Sequence, residues 1–160
     1  MKRKPWWFWS LLGCGGALIV GVLVVVLAAA WWFLPKETEI GRCQTYLGVD
    51  CDRVKPEVIG ELTGMTLPPG TEVESSSYNR FQDWRVRAVF IVPADQVEVW
   101  EASIQGYPEA EAKGCVDLEG RGDDRRCAEV NDPADLPVRG YTRVTRSDGA
   151  VVVHVEAFSL

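Results

Sequence analysis

The chain reads as an α+β protein: one amino-terminal transmembrane helix, then a small antiparallel sheet with two helices packed on one face, in the order α-β-β-α-β-β. Three observations predict this. An unbroken apolar stretch runs from Leu11 to Leu34. Two pairs of strand-like segments, within 71–92 and 138–158, each straddle a turn signal. A short segment with helical spacing of apolar residues precedes each pair.

The apolar stretch is about 24 residues long, enough at 1.5 Å per residue to cross a hydrocarbon core roughly 30 Å thick. Trp6, Trp7, Phe8 and Trp9 cluster at one end, and Trp31, Trp32 and Phe33 at the other. Indoles favour the headgroup boundary, so the two clusters suit opposite interfaces of one bilayer. Lys2, Arg3 and Lys4 precede the stretch and predict a cytoplasmic amino terminus. The expected division is a cytoplasmic stub over 1–4, a membrane helix over 5–34, a linker over 35–42 and an extracytoplasmic domain over 43–160. Ala28-Ala29-Ala30 resembles a signal-peptidase site, but the run is long for a signal peptide. Leu11-Leu12-Gly13-Cys14 resembles a lipobox, yet the apolar residues follow the cysteine instead of preceding it. An uncleaved single-pass anchor is the expectation. Gly13, Ala17 and Gly21 recur every four residues, a small-residue stripe through which two such helices can associate as a homodimer.

Beyond residue 34 lie all 23 acidic residues and all but three of the 17 basic ones, a net charge of −9. Phosphate repulsion excludes nucleic acid as a partner of this part. Four of the five cysteines also lie there. In an oxidising compartment an even count at short spacings predicts disulfides, with Cys43–Cys51 and Cys115–Cys127 favoured because each closes a local loop. No C-x-x-C pair suggests zinc, and no metal or other cofactor is expected.

Pro56 to Met65 reads as a helix with Val58, Ile59 and Leu62 on one face and Gly64 as terminator. Leu67-Pro68-Pro69-Gly70 is a turn, and Thr71 to Tyr78 a strand. Asp83 to Val92 alternates clearly: Trp84, Val86, Ala88, Phe90 and Val92 share one face, while Arg85 and Arg87 begin the other. Pro93 opens a helix to about Ser103, with Val97, Trp100 and Ile104 inward; Trp84 and Trp100 read as core. Residues 105–136 show no periodicity and read as a long polar loop tied by Cys115–Cys127. Asp117, Glu119, Gly122 and Asp124 in it faintly resemble a calcium loop, but Arg121 takes a ligand place and Ala128 the terminal glutamate's. Val138 to Arg146 and Ala150 to Phe158 flank Ser147-Asp148-Gly149. A two-residue Asp-Gly turn pairs Val144 with Val153 and Thr142 with Val155, leaving Arg143 opposite His154 and Tyr141 opposite Glu156.

That register brings Arg85, Arg87, Arg139, Tyr141, Arg143, His154 and Glu156 onto the uncovered sheet face. Clustered guanidinium groups suit a carboxylate or phosphate. His154 and Glu156 share a strand face and are the pair an enzyme would use, but no nucleophile or oxyanion site accompanies them, and no catalytic residue is assigned. The order Leu67-Pro68-Pro69-Gly70, Ser76-Ser77-Tyr78, Gln82-Asp83-Trp84, Pro93-Ala94-Asp95 resembles small uncharacterised membrane-anchored or lipoprotein domains of high-GC Gram-positive bacteria, over about residues 58–104. The resemblance implies a cell-surface location and carries no activity. The expected function is a non-enzymatic, membrane-anchored binding or accessory module for an envelope protein or small anionic ligand. The alternatives are an assembly subunit working through its helix and an enzyme using His154 and Glu156.

Overall fold

The computed structural model describes residues 7–107, 116, 118, 120–130 and 137–159, with side chains in the first helix described over 19–32. Two compact units divide at Leu34 and Pro35.

The first unit is helix α1, Trp7–Phe33, 27 residues long. Its described large side chains, from Ile19 through Leu27 to Trp32, are exposed. Among the described residues no helix is long and apolar enough to cross a membrane. The expected transmembrane helix is corrected accordingly: the fold shows an exposed apolar helix and no demonstrated span. Gly21 has open space beside it; Gly13 and Ala17, the rest of the small-residue stripe, lie outside the described side chains.

The second unit corrects the expected four-stranded sheet. It is one eight-stranded sheet, with strands β1 Lys36–Glu37, β2 Arg42–Gln44, β3 Val49–Asp52, β4 Glu72–Arg80, β5 Trp84–Val92, β6 Asp123–Val130, β7 Val138–Thr145 and β8 Val151–Phe158. Their spatial order is β1-β2-β3-β4-β5-β8-β7-β6, and every neighbouring pair is antiparallel. Helices α2, Pro56–Thr63, and α3, Val97–Ser103, fall between β3 and β4 and between β5 and β6. The expected linker over 35–42 thus contains β1 and the start of β2, and the expected loop over 105–136 contains β6. The three short leading strands have two to four residues each, too few for an alternation to register. A disulfide between directly opposed Cys43 and Cys51 staples two of them. Strand β6 reads Asp-Asp-Arg-Arg-Cys-Ala-Glu-Val, the charged composition of a protected sheet edge rather than of a core strand.

The helices formed for the reasons the residues suggested. Pro56 opens α2, and Gly64 closes it in the left-handed region at φ 73°. A 3-10 turn, Ala94–Gln96, leads into α3. Ile59, Trp100 and Ile104 are buried against Val86, Ala88, Phe90 and Val92 of β5 and Val151, Val153, Val155 and Ala157 of β8. Each fully buried aliphatic side chain of that layer contributes roughly 1.5–3 kcal/mol by leaving water. The opposite face carries a smaller cluster in which Leu118 covers Val144 and Val152 beside Val89 and Ile91. That face is therefore partly roofed and not open, as the two-layer expectation had it.

The last hairpin decides which residues meet. Its loop is Ser147-Asp148-Gly149: Arg146 N–H donates to Ala150 O at 2.8 Å, and Gly149 N–H donates to Arg146 O at 3.0 Å. Only Gly149 in this loop has positive φ, at 83°, whereas a type I′ turn needs two such residues. A three-residue loop shifts the pairing by one. Val144 pairs with Val152, Thr142 with His154, Arg143 with Val153 and Tyr141 with Val155. The expected register is corrected, and with it the face of every β7 side chain.

Candidate functional site

The slip divides the seven residues that the sequence groups together. Arg85, Arg87, His154 and Glu156 share one face, through the pairs Arg87 with Glu156 and Val89 with His154. Arg139, Tyr141 and Arg143 stand opposite Ala157, Val155 and Val153 on the helix-covered face. A single seven-residue surface does not exist.

On the helix side the three residues are structural neighbours of α2 and α3. Arg143 is buried, pairs with Glu101 of α3, and stacks 5.9 Å from the Trp100 ring centre. Tyr141 meets Trp100 and Tyr107 edge-on at 5.7 and 5.5 Å. The Tyr107 hydroxyl donates to the Thr63 carbonyl. Burial pushes the Tyr107 pKa up to about 12, against a lowering by Arg139. Arg139 reaches over Gly64, where a Cβ would stand 2.7 Å from its Nη1. These contacts lock the helices to β7.

The other face holds a cavity of about 200 Å³, open on one side. Thr142, His154, Glu156 and Glu129 supply its polar lining, and Val116, Val138 and Phe158 its apolar lining. Gly140 lies opposite both Glu156 and Glu129, so its missing side chain leaves the floor low. Val116 N–H donates to Thr142 Oγ1 at 2.9 Å, holding 116 over the cavity. Cys127 lines the wall and is disulfide-bonded; Cys115 lies outside the described residues. Asp117 and Glu119 of the suspected calcium loop also lie outside them.

Charge at the rim is uneven. Arg85 Nε and Arg87 Nε approach the same oxygen, Glu156 Oε1, at 3.2 and 2.9 Å. One carboxylate thus faces two guanidinium groups, while a second carboxylate, Glu129, lines the same cavity. Arg85 also lies 5.1 Å over the Phe158 ring, which ties this guanidinium to the cavity wall. Burial lowers the His154 pKa, Glu156 raises it and Arg87 lowers it, with a net depression that disfavours the imidazolium. The cavity can therefore offer an imidazole for hydrogen bonding and an amphipathic wall, with two guanidinium groups and two carboxylates around it.

Thr142, Gly140, Glu129 and Val116 were not legible as site residues. A three-residue reading of the Ser147-Asp148-Gly149 loop would have placed Thr142 beside His154, but nothing local marks Val116 or Glu129.

No family model matches the chain, and no curated protein or solved structure is significantly similar to it.

Proposed function

We propose that residues 35–160 form a non-enzymatic binding module for a small anionic ligand, acting on the extracytoplasmic side of a membrane. The observation that supports the ligand class is the pair of guanidinium groups sharing one Glu156 oxygen at the cavity rim. An incoming carboxylate or phosphate accepts from the donors that Glu156 leaves unused, with its carbon skeleton against Val138 and Phe158. The Cys43–Cys51 bridge fits an oxidising compartment.

The test titrates the full chain in detergent with succinate and with inorganic phosphate, read by calorimetry. Arg87→Ala is expected to weaken binding by roughly 10–100-fold, the value of one charge-assisted hydrogen bond. Gly140→Val fills the cavity floor without altering charge and is expected to abolish binding. No heat with either anion, or affinity unchanged in both variants, rejects the site. Protease added to intact cells tests the location: an undigested second unit rejects an extracytoplasmic domain.

A further inference from the structure

Charge is laid out across the cavity in a single row of the sheet. Arg87 of β5 stands opposite Glu156 of β8, Glu156 opposite Gly140 of β7, and Gly140 opposite Glu129 of β6. The row therefore runs cation, carboxylate, gap, carboxylate. Adjacent strands lie about 4.8 Å apart, so Glu129 and Glu156 flank the gap with about 10 Å between their Cα atoms. Glu129 borders it directly: a Cβ at Gly140 would lie 3.7 Å from Glu129 Cγ.

The two carboxylates are not equivalent. Glu156 is paired with Arg85 and Arg87, whereas Glu129 has no ion pair among the described residues. Guanidinium groups thus hold the β5 side of the cavity and an unmatched carboxylate the β6 side, with open space over Gly140 between them. A simple anion uses only the first side. A ligand with both charges uses both: its carboxylate accepts from Arg85 and Arg87, and its ammonium, seated over Gly140, donates to Glu129.

The adjoining row sets the rest of the ligand. Phe158 stands opposite Val138, an apolar wall one row from the gap. The volume of about 200 Å³ bounds the size, since pockets for drug-sized molecules begin at about 300 Å³.

We propose that the cavity takes a zwitterion, an α-amino acid with an apolar side chain. Its carboxylate lies at Arg85 and Arg87, its ammonium over Gly140 against Glu129, and its side chain against Val138 and Phe158. The proposal rests on the anion site put forward above and narrows its ligand class.

Calorimetry on the full chain in detergent compares three probes. L-Leucine carries both charges, 4-methylpentanoate keeps the carboxylate and carbon skeleton without the ammonium, and 3-methylbutylamine lacks the carboxylate. Leucine is expected to bind roughly 10–100-fold more tightly than either, the value of one further charge-assisted hydrogen bond. That comparison needs no variant. Glu129→Gln changes an exposed position on the edge strand and is expected to bring leucine and 4-methylpentanoate to the same affinity. Leucine no tighter than 4-methylpentanoate in the unaltered chain, or a leucine preference that survives Glu129→Gln, overturns the ammonium site; heat from succinate or phosphate then leaves the anion site standing. Binding of 3-methylbutylamine as tight as that of leucine shows attraction to the acidic edge alone and also overturns it. No heat from leucine, succinate or phosphate overturns both.

Discussion

Arg143 stands opposite Val153, and its guanidinium is buried beneath α3 against Glu101, one face away from the His154 that a shorter turn would have set beside it. The pair is lopsided: the Arg143 side chain is 9% exposed and that of Glu101 45%. Glu101 can be rehydrated if its partner goes, whereas Arg143 cannot.

The two partners should therefore respond differently to removal. Glu101→Ala leaves a buried cation without its counter-charge and is expected to destabilise by about 3 kcal/mol. Arg143→Met keeps the packing on Trp100 and removes the buried charge, so its cost is expected below about 1.5 kcal/mol. Urea unfolding of the full chain in mild detergent, followed by tryptophan fluorescence, measures both. Equal losses would show that the charge pair, not the desolvation asymmetry, controls this contact.

Gly149 sets the hairpin register. Its φ of 83° lies in the left-handed region, and an added Cβ would sit 3.2 Å from Ala94 Cβ. Gly149→Ala is expected to cost about 1–2 kcal/mol, read as a lower urea midpoint with unchanged slope. An unaltered midpoint would remove the argument that this glycine holds the three-residue loop.

His154 is the sole histidine of the chain, so its titration is unambiguous by NMR. Its pKa should lie below the ordinary 6.5, because burial disfavours the imidazolium. Arg87→Ala removes a lowering influence and should raise the value; Glu156→Gln removes a raising one and should depress it further. Between the folded and unfolded values the unfolded chain binds more protons, so stability gains with pH in that window. The contribution is complete above pH 6.5 and is lost as pH falls through the folded value. A midpoint above 6.5 would contradict the burial of this ring.

Tyr107 should behave in the opposite sense at high pH. With its pKa at about 12, the folded chain retains a proton that an unfolded one, at the ordinary 10.0, has released. The contribution to stability is complete below pH 10 and is lost as pH rises through about 12. Ultraviolet titration should show a late-ionising step, and Tyr107→Phe should delete it. If Tyr107→Phe leaves the high-pH end of the titration unchanged, the hydroxyl is not sequestered against Thr63.

Reduction of Cys43–Cys51 should loosen β1, β2 and β3 first. Opening this short loop is expected to cost about 2–3 kcal/mol in the chain-entropy description. Hydrogen exchange should accelerate over 42–52 and leave β5 and β8 unchanged, since those strands sit in the sheet centre. Uniform acceleration would mean that the leading strands and the sheet unfold as one unit.

Local patterns carried much of this fold. The alternation of Val86, Ala88, Phe90 and Val92, the proline and glycine bounding α2, the inward Trp100 and Ile104, and the Cys43–Cys51 bridge all follow from residues near in sequence, because side-chain period and turn chemistry act over a few positions. The apolar character of residues 11–34 was equally plain. Tertiary structure decided the rest. Strands of two to four residues become strands only when β4 offers an edge to pair with, and the charged β6 only when β7 does. One added residue in the Ser147-Asp148-Gly149 loop sent Arg139, Tyr141 and Arg143 beneath the helices and Thr142 beside His154. The strand period is two, so a shift of one exchanges the faces, and composition does not encode that shift. The cavity exists only once distant segments share a sheet.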